Sequence, residues 1–369
     1  MMNRMENDRI KTMGVELRAH WRRKIFRRVS GAVAIAALAC LAAPPFATAQ
    51  PPQHDMSQMH MRLDEDVKLT VDNDLAKQVV TLRLGPMRLP ANTGHMGLAQ
   101  PPDRFWSVPF NGWLVAYHPR LVDAAGRDVP GILLHHVAMW NTRRSDFLCR
   151  NKEEHIFGAG SELTDWPQLP GFGYRVAKSD RMRIETMFSN PTNTDYQEIY
   201  LEIRVEYRTP DSPGAAGIKN VYPAWFDVMS CKNSGYDLAA GPSTTTGNVT
   251  LRYSGTLLGV GGHLHDYGHE LALTDLTQKA EIATLDAKLD PQGHLLSIPV
   301  VPFTDRGGLH LPEGDKLETR AMYDNPTGKA IPDGAMGIVV GYFLPDSDAA
   351  MAALRRAPHA AGPAKQPDN

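Results

Sequence analysis

Short apolar segments separated by turn residues recur along most of the chain. They are rich in β-branched and aromatic residues, and clusters such as Asn190-Pro191 and Asp324-Asn325-Pro326 divide them. Segments of this length and composition are typical of β-strands, whereas signals for helices are nearly absent. The predicted strands are Val79–Leu84, Trp113–Tyr117, Ile132–Trp140, Met182–Phe188, Ile199–Tyr207, Ala224–Met229, Val249–Leu258, Glu270–Thr274, Leu295–Val301, Leu317–Tyr323 and Gly337–Leu344.

The spacing of these strands predicts an all-β protein with two antiparallel, jelly-roll-like β-sandwich domains in tandem. The predicted boundary is Thr209–Asn220, where two prolines and two glycines make a polar connection. The first sandwich is therefore placed at residues 62–209 and the second at residues 220–346. The Ala/Pro-rich segment 347–369 is predicted to be a disordered tail.

Residues 1–49 have the pattern of a signal peptide. A basic stretch that ends at Arg28 precedes the apolar run Gly31–Ala43, and Ala47-Thr48-Ala49 offers a cleavage site between small residues. The apolar run is too short to cross a bilayer, which takes about 20 residues. A lipoprotein anchored at Cys40 and a twin-arginine signal are the alternatives to ordinary cleavage. We expect a periplasmic or secreted protein with no membrane span.

Removal of the leader changes the charge of the chain. The leader holds nine Lys/Arg and three Asp/Glu. The remainder therefore has 30 Lys/Arg and 38 Asp/Glu, a net charge of −8. Nucleic acid is not an expected partner, because its recognition requires a basic patch. Two cysteines remain, Cys149 and Cys231, and an isolated pair in an oxidising compartment predicts a disulfide. Two unpaired buried thiols are the alternative.

The segment Gly261-Gly262-His263-Leu264-His265 is the strongest chemical signal. On a strand, residues i and i+2 lie on one face about 7 Å apart, so two imidazoles can converge on one metal ion. Two histidines on a solvated strand face are the alternative. With His269 and Glu270 the pattern partly matches a cupin, and His263, His265 and His269 together would suit zinc.

Two further features favour copper. The Met/His-rich arm at residues 50–61 offers soft thioether and imidazole ligands of the kind that suit Cu(I), although chance methionines in a polar arm are the alternative. The pair His135-His136 lies in an apolar predicted strand. Adjacent strand residues point to opposite faces, so both imidazoles reach one metal only where the strand is bulged or ends.

The order of these motifs resembles the type II copper, ascorbate-dependent monooxygenases, the family of peptidylglycine α-hydroxylating and dopamine β-monooxygenases. The pair His135-His136 is followed by His263 and His265, and then by Met336 in an apolar strand after a turn. The resemblance covers most of residues 70–345. It is strongest in Gly259–Leu273 and in Leu311–Leu344, where LPEGDKLETRAMYDN is similar to the family's strand before its copper-binding methionine.

The resemblance implies two sandwich domains that hold up to two copper ions across a water-filled cleft. It assigns His263, His265 and Met336 to the catalytic copper, which binds O2 near the substrate. It assigns His135 and His136 to the electron-supplying copper. In the family that second copper has a third histidine, and the matching place here holds Met187. Met187 is therefore the expected ligand, with His95 or His155 as substitutes and an empty second site as the remaining alternative.

A second departure from the family concerns the substrate. The peptide-amidating members hold a terminal carboxylate with an arginine two residues before the H-x-H motif, and here that residue is Gly261. Polar residues that follow the family's methionine are replaced by Ile338 and Val340. Because a buried carboxylate without a cationic partner is costly, the expected substrate is less charged than peptidylglycine.

The sequence therefore favours an exported copper monooxygenase. It would hydroxylate a C–H bond of a small-molecule or peptide-like substrate with O2 and ascorbate or another reductant. A non-catalytic copper-binding or copper-handling protein is the alternative, and a secreted sandwich with structural histidines is a third reading. Convergence of His135, His136 and Met187 is the feature that separates the first two.

Overall fold

A computed structural model describes residues 67–163, 165–166 and 168–354. The predicted signal peptide and the Met/His-rich arm lie outside the described residues. Within them, the regular elements are β-strands and short 3-10 helices, so the predicted all-β fold class is confirmed. The candidate ligands of the two predicted sandwiches lie in this part of the chain: His135, His136, Met187, His263, His265 and Met336.

Ten strands form the first half of the described chain. The six-stranded sheet runs β1-β2-β9-β4-β7-β10, and the four-stranded sheet runs β3-β8-β5-β6. The pairings are antiparallel except for β10 with β7. The strands are β1 (Lys68–Asp74), β2 (Val79–Leu89), β3 (Arg104–Ser107), β4 (Gly112–Asp123), β5 (Leu134–Ser145), β6 (Glu153–Gly160), β7 (Phe172–Val176), β8 (Arg181–Phe188), β9 (Tyr196–Arg208) and β10 (Lys219–Asn220).

Thirteen strands form the second half. One sheet runs β11-β23-β14-β19 with β20 also paired to β14, and a four-stranded sheet runs β13-β21-β15-β16. Two small sheets pair β12 with β22 and β17 with β18. The strands are β11 (Tyr222–Asp227), β12 (Tyr236–Leu238), β13 (Gly241–Thr250), β14 (Gly255–Leu264), β15 (Gly268–Asp275), β16 (Ala280–Asp286), β17 (Lys288–Leu289), β18 (Leu295–Ser297), β19 (Val301–Pro302), β20 (Leu309–Leu311), β21 (Lys316–Asn325), β22 (Ile331–Ala335) and β23 (Gly337–Pro345).

Helical structure in the described residues is limited to short 3-10 helices of three to five residues. No helix in the described residues is long and apolar enough to cross a membrane. The 3-10 helices are His95–Gly97, Gly131–Leu133, Ala215–Gly217, Thr304–Arg306 and Ala350–Leu354.

Each half buries its own hydrophobic core, and the burial pattern explains the strand sequences. In β8 and β21, buried residues alternate with more exposed ones, as expected for strands with one face on a core. Strands β11 and β23 are buried almost continuously. One face of each packs into the second core, and Trp225, Ile338 and Val340 on the other face form a separate apolar cluster.

Side chains from the first half hold the two halves together. Phe147 and Leu148, in the connection from β5 to β6, are buried in the second core, and the Phe147 ring stacks on Phe343 with centroids 5.1 Å apart. The predicted disulfide between Cys149 and Cys231 is confirmed, with Cα atoms 5.4 Å apart. It joins the same connection to the second half.

Two predicted strands are divided in the structure. Val249–Leu258 covers the end of β13 and the start of β14, with a turn between them, and Leu295–Val301 covers the short strands β18 and β19. In both segments the apolar residues continue through the connection because Leu251 and Ile298 are buried there. Hydrophobicity alone therefore did not mark these turns.

The predicted disordered tail is partly folded. The structure describes it as far as Leu354, and Ala350–Leu354 form a 3-10 helix. Met351 and Leu354 are buried in the second core, which gives this segment an apolar anchor that its Ala/Pro-rich composition did not suggest. The rest of the tail lies outside the described residues.

Candidate metal centre

The His135-His136 pair lies at the start of β5, where the strand is irregular. Its register with β8 shifts between Leu134 and His136. A shift of this kind lets neighbouring side chains turn to the same side, which an unbroken strand does not allow. Both imidazoles are half-buried, and their ring centroids are 5.3 Å apart.

His263 lies near the end of β14, and His265 directly follows its last residue, Leu264. His263 pairs with Ile338 of β23, and Leu264 pairs with Gly337. The strand alternates, so His263 and His265 lie on one face with ring centroids 5.4 Å apart. This face is directed toward the first half, because the place that a Cβ at Gly160 would occupy is 2.5 Å from Cε1 of His263.

Histidines from the two halves meet at one position. Nitrogen atoms of His135, His136 and His265 all lie within 4.8 Å of one another. The His135 and His265 rings are 4.4 Å apart, and His95 stacks on His135, also at 4.4 Å. The predicted ligands of two separate sites are thus combined in one group of three imidazoles.

Several ring nitrogens of these histidines are buried and unpartnered in the described part of the chain. Among the described residues, no hydrogen-bond partner is found for Nε2 of His135, Nδ1 of His136, Nε2 of His263 or either ring nitrogen of His265. Burial and the neighbouring imidazoles lower the pKa of His135 to about 2 and that of His265 well below its ordinary value. The two rings are therefore neutral, the state in which an imidazole binds a metal.

A buried carboxylate contacts the remaining histidine. Glu162 belongs to the turn after β6, and its Oε1 lies 3.4 Å from Nδ1 of His263 and accepts a hydrogen bond from the Gly160 N–H at 2.8 Å. Burial raises the pKa of the Glu162 carboxyl. His263 and backbone N–H groups lower it by more than burial raises it, so the pKa lies below its ordinary value. The carboxylate is charged and faces the imidazole.

Gly160 is required for this contact. A Cβ at this position would lie 2.5 Å from His263 Cε1 and 2.7 Å from Glu162 Oε2, so Gly160→Ala should displace one of these side chains. Overpacking of this kind costs roughly 1–3 kcal/mol, and we expect weaker metal binding as well. Thermal unfolding and metal titration of the variant test this prediction.

Gly94→Ala is the matched control for Gly160→Ala. A Cβ at Gly94 meets no atom within 4 Å, and its φ of −68° suits alanine. The prediction is contradicted if both alanine variants unfold at the same temperature and bind metal alike.

Tyr323 connects the two segments that carry His265 and Met336. This core residue of β21 accepts hydrogen bonds from the backbone N–H of His265 at 3.0 Å and of Met336 at 3.1 Å, and its hydroxyl donates to the Met336 carbonyl. All three hydrogen-bonding positions of the hydroxyl are used. One side chain therefore fixes the backbone at both places.

Tyr323→Phe should reduce stability, because it leaves buried backbone groups without a partner. Each such group costs about 1–3 kcal/mol. Tyr117→Phe is the control, since Tyr117 is buried and its hydroxyl has no partner among the described residues. Urea unfolding should separate the two variants, and equal midpoints would show that the Tyr323 hydrogen bonds contribute nothing.

The two predicted methionine ligands differ in their surroundings. Met336 follows Ala335, and continuation of the β14–β23 register places it opposite His265; it packs against the cluster of Trp225, Ile338 and Val340. Met187 pairs in register with His136 and is half-buried. The carboxylate of Glu185, two residues earlier, lies 3.9 Å from Nε2 of His136.

The sequence offers three other histidines as candidate ligands. His95 reaches the group through its stacking on His135, although it was named only as a substitute ligand. His155 is held elsewhere, stacked on Trp225 with centroids 3.5 Å apart, and its carbonyl accepts the Trp225 indole N–H. His269 is exposed on β15, in the other sheet of the second half, so it does not join His263 and His265.

The donor set fits a copper or zinc ion. Three imidazoles suit either metal, whereas calcium and magnesium require oxygen ligands. The unpartnered, buried ring nitrogens would otherwise be costly, since buried polar groups are normally hydrogen-bonded. The residues that would hold the ion are His135, His136 and His265, with His263 adjacent.

No protein-family model matches the chain, and no curated protein matches it. Among solved structures, it is similar to PNGase F, a glycosylasparaginase from Flavobacterium meningosepticum, with a TM-score of 0.37 and 10% identity over 73% of this chain and 96% of that one. For a peptide-N(4)-(N-acetyl-beta-D-glucosaminyl) asparagine amidase, the TM-score is 0.36 and the identity 12%, over 71% of this chain and 96% of that one. For the major capsid protein P2 of bacteriophage PM2, the TM-score is 0.29 and the identity 12%, over 72% of this chain and 99% of that one. Likenesses of this degree carry no argument about function.

Proposed function

We propose that this protein is an exported, copper-dependent oxidoreductase of the monooxygenase type, with its metal where the two sandwich halves meet. The observation that carries the proposal is the convergence of His135, His136 and His265 within 4.8 Å, with four buried ring nitrogens that have no hydrogen-bond partner among the described residues. The sequence resemblance adds copper as the metal and C–H hydroxylation as the reaction.

Bound copper would supply redox chemistry with O2, using electrons from ascorbate or another external reductant. The chain's own residues prepare the position for it. Burial keeps His135 and His265 neutral, so their lone pairs are free for an ion. Tyr323 and the register of β14 with β23 hold Met336 beside His265, where a thioether would favour the reduced ion.

The surroundings of Met336 favour an uncharged substrate group. Trp225, Ile338 and Val340 are buried and apolar, and Gly261, which pairs with Val340, offers no cation. A carboxylate there would lose its hydration without gaining a partner. The proposed substrate is a small-molecule or peptide-like compound that presents an apolar C–H group.

A non-catalytic role in copper binding or delivery is the second candidate. One observation favours it: histidines predicted for two separate ions form a single group, in which His135 and His265 rings are only 4.4 Å apart. A site of this kind suits tight binding of one ion. It does not require electron transfer between two distant ions.

The test is metal analysis of purified protein with paired oxygen-uptake assays. Protein stripped with a chelator is reloaded with copper or with zinc, and oxygen consumption is measured with and without ascorbate. The monooxygenase proposal expects uptake that depends on both copper and ascorbate and is absent with zinc. Tight copper binding without such uptake over a broad set of apolar substrates would favour the copper-handling role.

A further inference from the structure

A carboxylate of the first half reaches a histidine of the second half. The Glu162 side chain is only 2% exposed, and its Oε1 lies 3.4 Å from Nδ1 of His263, whose own side chain is 12% exposed. Nε2 of His263, on the opposite side of the ring, has no hydrogen-bond partner in the described chain. One nitrogen of this imidazole is thus occupied by the carboxylate, and the other is free.

We infer that Glu162 is a positioning residue that orients His263 as a metal ligand across the junction of the two halves. The carboxylate accepts a hydrogen bond from the Nδ1–H, which leaves the lone pair on Nε2 for the ion. A metal-binding histidine almost always donates its other ring N–H to an oxygen acceptor, and a carboxylate in that role raises the basicity of the ring. This inference rests on the metal site of the proposed function.

The cost of burying Glu162 supports a specific role. A buried carboxylate is expensive unless it is paired and hydrogen-bonded, yet Oε2 of Glu162 has no partner among the described residues. The compensation at Oε1 comes from the Gly160 N–H and from His263. If the carboxylate served packing alone, replacement of Glu162 with an apolar side chain would stabilise the protein.

The local backbone is built for this contact. The Leu163 N–H donates to the Gly160 carbonyl at 3.0 Å and closes the turn, and Leu163 has a φ of 46°, in the left-handed region. Within that turn the Glu162 carboxylate is fixed by the Gly160 N–H at 2.8 Å. Gly160 also pairs with His136 of β5, so the turn that carries Glu162 is connected directly to the histidine group.

His263 belongs to the second half, but its orientation depends on a residue of the first. Metal affinity should therefore require both halves in their docked arrangement, even for a ligand that the second half supplies. If the Glu162–His263 pair were purely structural, mutation of Glu162 would lower the stability of the protein and leave metal affinity unchanged.

The experiment measures metal affinity and imidazole tautomer in the full chain. Glu162→Gln removes the charge and keeps an acceptor oxygen, whereas Glu162→Ala removes both. Glu153→Gln is the matched control, because Glu153 lies in the same half and pairs with Arg183, not with a histidine. Zn²⁺ and Cu²⁺ dissociation constants are measured by competition with a chelator, and long-range ¹H–¹⁵N spectra of the metal-free protein report the tautomer of His263, assigned with His263→Gln.

We expect affinity to fall roughly 10-fold in Glu162→Gln and up to about 100-fold in Glu162→Ala, with no change in the control. The metal-free protein should show His263 protonated at Nδ1, and Glu162→Ala should lose that preference. Unchanged affinity in both Glu162 variants would overturn the inference, as would an Nε2-protonated His263 in the unaltered protein.

Failure of the proposed function is distinguishable from failure of this inference. If the protein binds zinc and copper but consumes no oxygen, the oxidoreductase proposal fails and the Glu162 effect on zinc affinity is still measured. If the tautomer is correct and zinc affinity falls as expected, the inference stands whatever the reaction.

Discussion

His265→Ala is expected to abolish tight metal binding while the protein remains folded. His265 is the member of the group that the second half contributes, and it lies within 4.8 Å of both histidines of the first half. Its loss removes one of the three converging donors. Mutation of a residue that only hydrogen-bonds a ligand weakens metal binding roughly 10- to 100-fold, and loss of the ligand itself should raise the dissociation constant by more than that. Any copper- and ascorbate-dependent oxygen uptake should disappear with it.

Stability of the metal-free variant is the informative second measurement. Both ring nitrogens of His265 are buried without a hydrogen-bond partner among the described residues, so their removal relieves a cost that offsets the lost packing. We expect the unfolding temperature without metal to change little, and the increase on addition of zinc or copper to vanish. His310→Ala is the control, since His310 is exposed and pairs with Asp346. A variant that still gained stability from metal would show that His265 is not a ligand.

The sequence predicted the participants of the site better than their grouping. The spacing of His263 and His265 identified one strand face, and the His135-His136 pair was useful only if the strand was irregular, which the register shift before His136 provides. The resemblance separated these histidines into two sites. Their contact depends on how two sheets from different halves pack, and local patterns contain no information about that distance.

Residues that support the histidines could not be found from the sequence. Glu162 is 101 positions from His263, and Tyr323 is 58 positions from His265. Neither belongs to a recognisable motif, and a glutamate after a strand or a tyrosine within one is ordinary. Only the turn at Gly160 and the pairing of β21 with β15 bring them to the site.

The strand predictions were most accurate where burial follows the period of a strand. Met182–Phe188 and Leu317–Tyr323 fall within β8 and β21, whose residues alternate between buried and more exposed. The seven- or eight-residue strands β1, β6 and β16 were missed, and so were the short strands β10, β12, β17 and β20, in which two or three residues carry no period. Their pairing is imposed by neighbouring strands and not by their own composition.

The disulfide offers the second large effect, this time on stability. Cys149 and Cys231 are 82 positions apart, and the bond closes a loop that includes β6 to β11. In the chain-entropy account, removal of a cross-link over such a loop costs roughly 4 kcal/mol, because the unfolded chain regains the freedom that the bond denied it. Cys149→Ser combined with Cys231→Ser removes the bond without leaving a free thiol.

We expect this double variant to unfold at a clearly lower urea concentration than the unaltered protein, by an amount that corresponds to roughly 4 kcal/mol. Its zinc affinity in the absence of urea should be nearly unchanged. The Phe147–Phe343 and His155–Trp225 contacts still hold the two halves together when the bond is absent. Equal unfolding midpoints would contradict the entropic argument. A loss of zinc affinity as large as that of His265→Ala would instead show that the bond, and not these aromatic contacts, keeps the histidines of both halves in place.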